Sequence, residues 1–227
     1  MRAPVISNRF HDPNPIARLN RAALREAGVL TVGVFGGPGC GKTSLIAATI
    51  QRLAPGIHVG VIACDIDSHR DADRIAVTSD QVIQVNTGDG ACPVDACHVG
   101  DALRWLDLKS LDLLLIENVG TLAMSRIPDV GQDASVTVFS VAAGDDKADK
   151  HPELVNGADL VVLNKTDLLS SVPFDIGAFR ADVGRIKPGV DLIELSAIKG
   201  DGLAKWVAWL RGRVVIDETQ KASHWFG

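Results

Sequence analysis

The chain has 227 residues, of which 46% are hydrophobic and 22% charged, and its formal net charge is −5. This size and composition fit a single α/β domain, and the acidic balance without a basic block argues against nonspecific nucleic-acid binding. No apolar run reaches the roughly 18–20 residues that cross a bilayer, and the first 15 residues contain no apolar signal segment. We therefore expect a cytoplasmic protein whose four cysteines are reduced.

The hydrophobic pattern predicts helices and strands that alternate along the chain. Residues 1–12 are expected to form a loose arm, and 13–212 a single domain that begins with a helix at 15–27. Strands are predicted at 29–35, 57–63, 81–85, 112–116, 135–142, 159–163 and 191–195. Further helices are predicted at 42–53, near 70–77, and at 95–106, 175–186 and 201–212, with a peripheral tail at 213–227. Packing against the domain is predicted for Trp105, Trp206 and Trp209. Apolar strands separated by helices indicate a mainly parallel sheet with helices on both faces.

A phosphate-binding loop follows the first predicted strand. Residues 36–43, GGPGCGKT, match the P-loop pattern G-x-x-x-x-G-K-S/T between a strand and a helix. Glycines let successive backbone N–H groups turn toward phosphate oxygens, and the helix N-terminus adds a favourable dipole. We expect Lys42 to neutralise the β and γ phosphates and Thr43 to place its hydroxyl on Mg²⁺. The other predicted nucleotide contacts of this loop are Gly37, Gly39, Cys40, Gly41 and Ser44.

A guanine-binding element is predicted after the strand at 159–163. The residues Asn164, Lys165, Thr166 and Asp167 form the N-K-x-D pattern by which GTPases recognise guanine. An aspartate there accepts hydrogen bonds from guanine N1–H and the exocyclic amine, whereas adenine offers a lone pair at N1, so a site built on these bonds rejects adenine by roughly 10⁴-fold. A second loop, which begins with Ser196 and Ala197, is expected to support guanine O6 through backbone N–H groups. The predicted nucleotide is GTP.

Two acidic residues are predicted to stand at strand ends beside the phosphates. We assign Asp65 to Mg²⁺, directly or through water, and Glu117 to the water shell of the metal or to positioning of the attacking water. Lys42, Asp65 and Glu117 are therefore the predicted catalytic residues. Gly120 is expected to offer its N–H to the γ-phosphate. Because no glutamine or arginine that promotes hydrolysis is identified, we expect slow intrinsic turnover.

Most of the chain, from residue 16 to about 210, resembles the HypB family of GTPases that insert nickel during hydrogenase maturation. The matching segments are QVNTG (84–88), LLLIENVG (113–120), GDDKADKHP (144–152), ADLVVLNKTDLL (158–169), FD (174–175) and IELSAIKGDGL (193–203). The resemblance implies a SIMIBI-class, Mg²⁺-dependent GTPase that forms a homodimer with GTP and hands Ni²⁺ to a maturation partner and a client apoenzyme. It also implies that Lys147 reaches across the dimer to the second nucleotide, although its position between acidic residues indicates only a solvated charge.

The chain departs from this family at the residues that bind nickel. The family carries a Cys-His pair after the NTG segment and a later cysteine, whereas here Pro93 follows Cys92 and Met124 occupies the later position. Cys97 and His98 come five residues further on. Thiolate and imidazole groups suit Ni²⁺ or Zn²⁺, and a symmetric dimer doubles a small ligand set. Cys92, Cys97 and His98 are thus the candidate ligands, with the alternative that Cys97 is a small buried residue and His98 an exposed one.

Two other functions remain open at this point. The Cys-Pro pair at Cys92 also resembles the urease GTPase UreG, so the chain is alternatively a GTP-gated chaperone for a different metalloenzyme without a nickel site of its own. A small-molecule kinase is the third hypothesis, but the sequence offers no acceptor pocket and no arginine-rich lid. Cys40 stands where the family has a small residue such as serine, either as a packing residue or as a thiol sensitive to alkylation.

Overall fold

The computed structural model describes residues 15–64, 79, 81–85, 94–118 and 126–214. Within them, seven parallel strands form one sheet in the order β3-β2-β4-β1-β5-β6-β7. The strands are β1 Leu30–Phe35, β2 Val59–Cys64, β3 Gln81–Val85, β4 Leu113–Glu117, β5 Ala134–Ser140, β6 Leu160–Asn164 and β7 Asp191–Glu194. The predicted fold class, a parallel sheet of the P-loop type, is confirmed.

The helices cover both faces of the sheet. They are α1 Pro15–Glu26, α2 Lys42–Leu53, α3 Ala96–Leu103, α4 Lys147–Lys150, α5 Pro152–Asn156, α6 Ile176–Ile186 and α7 Leu203–Arg211. The two short helices α4 and α5 were not predicted, because four or five residues are too few to show a helical period. The predicted helix near 70–77, the arm at 1–12 and nearly all of the tail lie outside the described residues. None of the described helices is long and apolar enough to cross a membrane.

Strands buried on both faces explain the continuous apolar runs. Leu113 and Leu115 of β4 pack in the core that also contains α2 and α7, whereas Leu114 and Ile116 face the core beneath α1 and α3. Successive strand residues point to opposite faces of the sheet. A strand whose two faces are both covered by helices therefore has no polar face. This arrangement leaves the carboxyl edge of the sheet, where the strands run into loops, as the place for polar chemistry.

Two predicted packing residues lie as expected and one does not. Trp206 of α7 is buried, and its Nε1 donates a hydrogen bond of 2.7 Å to Thr49 Oγ1 of α2. Trp209 stacks on Trp206 and carries the Arg213 guanidinium on its ring. The prediction for Trp105 was wrong, since its side chain is 80% exposed. The physical reason is that α3 ends at Leu103, so Trp105 does not continue the buried face of the helix.

Candidate nucleotide site

The phosphate loop lies between the carboxyl end of β1 and the first turn of α2. Gly41 at the start of α2 has φ of 95°, a left-handed conformation that favours glycine. The Lys42 side chain is 7% exposed and turns back over the loop, where Nζ donates hydrogen bonds to Gly36 O at 2.9 Å and Gly37 O at 3.3 Å. The ammonium therefore lies against the loop that is predicted to hold the β and γ phosphates.

Oxygen ligands for a divalent cation meet beside this loop. Thr43 Oγ1 donates a hydrogen bond of 2.7 Å to Glu117 Oε1, and Glu117 ends β4 in register with Val34 of β1. A hydroxyl and a carboxylate are ligands that suit Mg²⁺, so the described residues fit the predicted magnesium position. The other two predicted members of this part of the site, Asp65 and Gly120, lie outside the described residues.

One buried asparagine joins the phosphate loop to both base loops. Asn164 is 1% exposed, and its Nδ2 donates to Cys40 O at 2.9 Å. Its Oδ1 accepts from Lys165 N at 2.8 Å and from Ala197 N at 3.1 Å. Because all these partners are backbone groups, the side chain fixes the relative positions of three loops that are distant in sequence. The sequence predicted Asn164 as a nucleotide-binding residue, and its bracing contacts could not be read from the motif.

The predicted guanine-binding aspartate is oriented by the second base loop. Asp167 Oδ1 accepts a hydrogen bond of 2.6 Å from Ser196 Oγ, and Ser196 Oγ accepts one of 3.1 Å from Lys199 N. Asp167 itself is exposed, whereas Ser196 is buried. Lys165 adopts φ of 63°, which is uncommon for a residue other than glycine and places its side chain near the Gly41 side of the phosphate loop. The structure thus brings Asn164, Lys165, Asp167, Ser196 and Ala197 together.

The thiol of the phosphate loop is buried among charged residues. Burial raises the pKa of the Cys40 thiol, and the neighbouring positive charge of Lys42 opposes this only in part. The thiolate is the reactive form of cysteine, so a buried thiol with a raised pKa is a poor nucleophile near neutral pH. This geometry favours the packing interpretation of Cys40 over the alkylation-sensitive one.

Alkylation should therefore discriminate between the two described cysteine side chains. In folded protein near neutral pH, we expect iodoacetamide to modify Cys40 at least about 10-fold more slowly than the exposed Cys97. Site-resolved mass spectrometry of timed samples measures both rates. Equal rates in the folded protein, with denatured protein as the reference for full access, would contradict the packing interpretation.

Lys147 is the first residue of the short helix α4, and two polar contacts join this segment to α6 and its N-cap residue. Asp145 Oδ2 accepts a hydrogen bond of 2.9 Å from Asp175 N, and Asp149 Oδ1 pairs with Arg185 Nη2 at 2.5 Å. The segment is further fixed by Ala148, which is fully buried. Lys147 is half-buried on this fixed segment. Its predicted contact with the nucleotide of a second protomer stays a prediction.

The described candidates for transition-metal binding lie at the N-terminus of α3. Asp95 caps this helix by accepting from Cys97 N at 2.9 Å and His98 N at 3.0 Å, and its Oδ1 lies 2.8 Å from His98 Nδ1. Partial burial opposes ionisation of Asp95, but the hydrogen bonds from these N–H groups and the nearby imidazole prevail and lower the pKa of Asp95. A carboxylate on one imidazole nitrogen commonly orients the other toward a metal.

The complete ligand set stays a prediction. Cys92, the first candidate, lies outside the described residues, and among those that are described no group of three or more potential ligands is assembled. Cys97 is exposed, so the alternative that it is a small buried residue is not supported. His98 is partly exposed and engaged by Asp95.

Comparisons with known proteins agree with this geometry. A family model described as the CobW/HypB/UreG nucleotide-binding domain matches residues 30–194. The hydrogenase maturation factor HypB of Azotobacter vinelandii is 40% identical over 84% of this chain. The matched region spans only 63% of the length of that relative. The HypB of Escherichia coli is 38% identical over 87% of this chain and 68% of its own length. A probable HypB of Methanocaldococcus jannaschii is 37% identical over 88% of this chain and 90% of its own.

Solved structures show the same similarity in three dimensions. The crystal structure of HypB from Archaeoglobus fulgidus superposes with a TM-score of 0.82 at 36% identity and covers 88% of this chain and 97% of its own. The structure of HypB from Helicobacter pylori in complex with nickel superposes with a TM-score of 0.80 at 25% identity. It covers 89% of this chain and 97% of its own. The seven-stranded parallel sheet with its covering helices therefore occurs in a known architecture.

Proposed function

Since the chain belongs to the CobW/HypB/UreG family of nucleotide-binding domains, we propose that it is a cytoplasmic GTPase that delivers nickel to a metalloenzyme. The enzyme that receives the metal is proposed to be a nickel–iron hydrogenase, reached through a maturation partner protein. The proposal includes a homodimer promoted by GTP and slow, Mg²⁺-dependent hydrolysis of GTP to GDP and phosphate. As in the sequence prediction, the GTPase core corresponds to residues 13–212.

The hydrogen bonds of Asn164 are the main support for the nucleotide part of the proposal. The buried Asn164 amide bonds to Cys40 O of the phosphate loop and to Ala197 N of the second base loop, at 2.9 and 3.1 Å. The buried side chain holds the phosphate loop and the base loop together. The site is therefore preorganised for a ligand with phosphates at one end and a purine at the other. Asp167, oriented by Ser196, supplies the preference for guanine.

The chemistry of hydrolysis follows from residues at the sheet edge. Bound Mg²⁺ would stabilise the charge that develops on the transferred phosphoryl group. Thr43 and Glu117 would hold this ion, since their oxygen atoms lie 2.7 Å apart at the end of β4. Lys42 neutralises phosphate charge from its position over the loop. Slow turnover is proposed from the sequence, in which no glutamine or arginine that promotes hydrolysis was identified.

The nickel part of the proposal is supported by similarity and by ligand chemistry. Related chains are hydrogenase maturation factors, and one relative of known structure binds nickel. Cys97 and His98 offer a thiol and an imidazole, and Asp95 orients the ring. Together with Cys92, each protomer would contribute a partial ligand set that a symmetric dimer completes.

Nickel titration tests this proposal. Wild-type protein with a non-hydrolysable GTP analogue and Mg²⁺ should bind nickel tightly, and Cys92→Ala should lose tight binding while it binds GTP as before. Calorimetry measures both ligands on the same samples, and metal content of the isolated dimer gives the stoichiometry. Nickel binding equal to that of wild type in Cys92→Ala would remove this cysteine from the ligand set.

A GTP-gated chaperone without a nickel site is the second candidate function. It is favoured by one observation from the sequence, that Pro93 and Met124 stand where the HypB family carries a histidine and a cysteine. This candidate predicts normal GTP binding and GTP-promoted dimerisation with no measurable nickel affinity in either nucleotide state. The same titration therefore separates the two functions.

A further inference from the structure

Asn118 is a buried residue between the nucleotide edge and the cysteine–histidine segment, and no role in the site described above involves it. It directly follows Glu117 and is fully buried. Its Nδ2 donates to Val94 O at 2.9 Å, and its Oδ1 accepts from Val94 N at 3.2 Å. One amide side chain thereby satisfies both backbone groups of a residue 24 positions earlier in the chain.

The backbone of Asn118 is in turn fixed to the phosphate-loop strand. Asn118 N donates a hydrogen bond of 3.0 Å to Val34 O, in the strand that leads into the phosphate loop. On its N-terminal side, Glu117 holds the Thr43 hydroxyl at 2.7 Å. Residue 118 is therefore fixed to the edge of the sheet where the γ-phosphate and Mg²⁺ are proposed to bind.

Val94 leads directly into the segment that carries the candidate metal ligands. Val94 is fully buried, and the next residue, Asp95, caps α3 and contacts both Cys97 N and His98. The position of Val94 thus sets where α3 begins and where its thiol and imidazole lie. Because the contact between Asn118 and Val94 is buried, water cannot replace its hydrogen bonds when either partner shifts.

We propose that Asn118 is the positioning residue that couples the nucleotide state to the metal affinity of the Cys97–His98 segment. Both polar atoms of its side chain are engaged by the backbone of Val94, so we assign it neither a nucleotide-binding nor a metal-binding role. A shift of Glu117 and Asn118 between the GTP and GDP states is transmitted through the two hydrogen bonds to Val94, and so to the start of α3. By thermodynamic linkage, metal bound at this segment changes the preference for GTP over GDP by the same factor. The inference rests on the proposed function.

The chain supplies a matched control on the opposite side of the same segment. Asn20 of α1 is also buried, and its Nδ2 donates to Ala96 O at 2.8 Å and to Val130 O at 3.1 Å. It is an asparagine with two hydrogen bonds to backbone groups, one of them at the start of α3, but it joins that segment to α1 and not to the nucleotide edge. Asn20→Ala should weaken folding as Asn118→Ala does, without altering the coupling.

The experiment compares nucleotide states in wild type, Asn118→Ala and Asn20→Ala. Nickel affinity is measured with Mg²⁺ and either a non-hydrolysable GTP analogue or GDP, and we expect a ratio of at least about 5 in wild type. The ratio should fall to about 1 in Asn118→Ala and stay at the wild-type value in Asn20→Ala, because a purely structural defect changes both affinities equally. The alkylation rate of Cys97 in the two nucleotide states, resolved by mass spectrometry, should show the same pattern without nickel.

The outcomes separate this inference from the proposed function. Wild-type protein that binds no nickel in either state would refute nickel delivery, and the Cys97 rates would still decide the coupling. A nucleotide-dependent Cys97 rate that persists in Asn118→Ala, or that is absent from wild type, would overturn the inference. If Asn118→Ala does not fold, Asn118→Asp keeps the side-chain volume but places an oxygen opposite Val94 O, and it should lose the nucleotide dependence in the same way.

Discussion

Asp167→Asn should reduce GTP affinity by about 10³- to 10⁴-fold and transfer the preference to xanthosine triphosphate. A carboxylate accepts from both N1–H and the 2-amino group of guanine, whereas an asparagine amide turns one acceptor into a donor that faces the amine. Xanthine carries an oxygen at C2, which accepts from this donor while N1–H still donates to the amide oxygen. Competition against a fluorescent nucleotide, with GTP, XTP and ATP as competitors, measures all three affinities.

Ser196→Ala is the matched control for this change. It removes the 2.6 Å hydrogen bond that orients Asp167 and the 3.1 Å hydrogen bond from Lys199 N, but it leaves the carboxylate in place. The loss of the hydrogen bond to Asp167, about 1 kcal/mol, should weaken GTP by roughly 5-fold without any gain in XTP binding. An Asp167→Asn protein that still prefers GTP to both other nucleotides would show that another residue reads the base.

The bounds of some elements were predictable from sequence alone. Helix α2 and strand β3 have the predicted bounds, because Lys42 follows a glycine turn and the segment QVIQV (81–85), rich in β-branched residues, is bounded by Asp80 and Asn86. The end of α3 was placed too late, since the pattern around Trp105 continues beyond the last helical residue. Periodicity records which residues favour a helix, but tertiary packing decides where the helix stops.

In the site, too, the sequence indicated which residues take part but not the long-range contacts between them. Sequence motifs predicted Lys42, Thr43 and the N-K-x-D residues at the carboxyl edge of the sheet, and the structure has them there because each motif includes the strand end that positions it. Their binding roles stay predictions. The contacts of Asn118 with Val94 and of Asn164 with Cys40 join residues 24 and 124 positions apart. An asparagine in sequence gives no indication of its distant backbone partner, so these bracing roles required the structure.

Gly41→Ala should destabilise the fold and abolish tight GTP binding at the same time. Gly41 has φ of 95°, and a Cβ there would lie 2.4 Å from Asn164 Nδ2. The left-handed backbone costs roughly 1–2 kcal/mol for a residue with a Cβ, and displacement of Asn164 adds about 1–3 kcal/mol for each buried partner left without its hydrogen bond. Since Asn164 joins the phosphate and base loops, we expect GTP affinity to fall by at least about 100-fold, a loss of about 2.7 kcal/mol.

Gly39→Ala separates backbone strain from the collision. Gly39 also has a positive φ, 70°, but a Cβ at this position would meet nothing within 4 Å in the protein. Urea unfolding without nucleotide should therefore show a loss of roughly 1–2 kcal/mol for Gly39→Ala and a clearly larger loss for Gly41→Ala. Equal losses would mean that Asn164 moves aside without penalty, and the buried amide would then not be what holds the phosphate and base loops together.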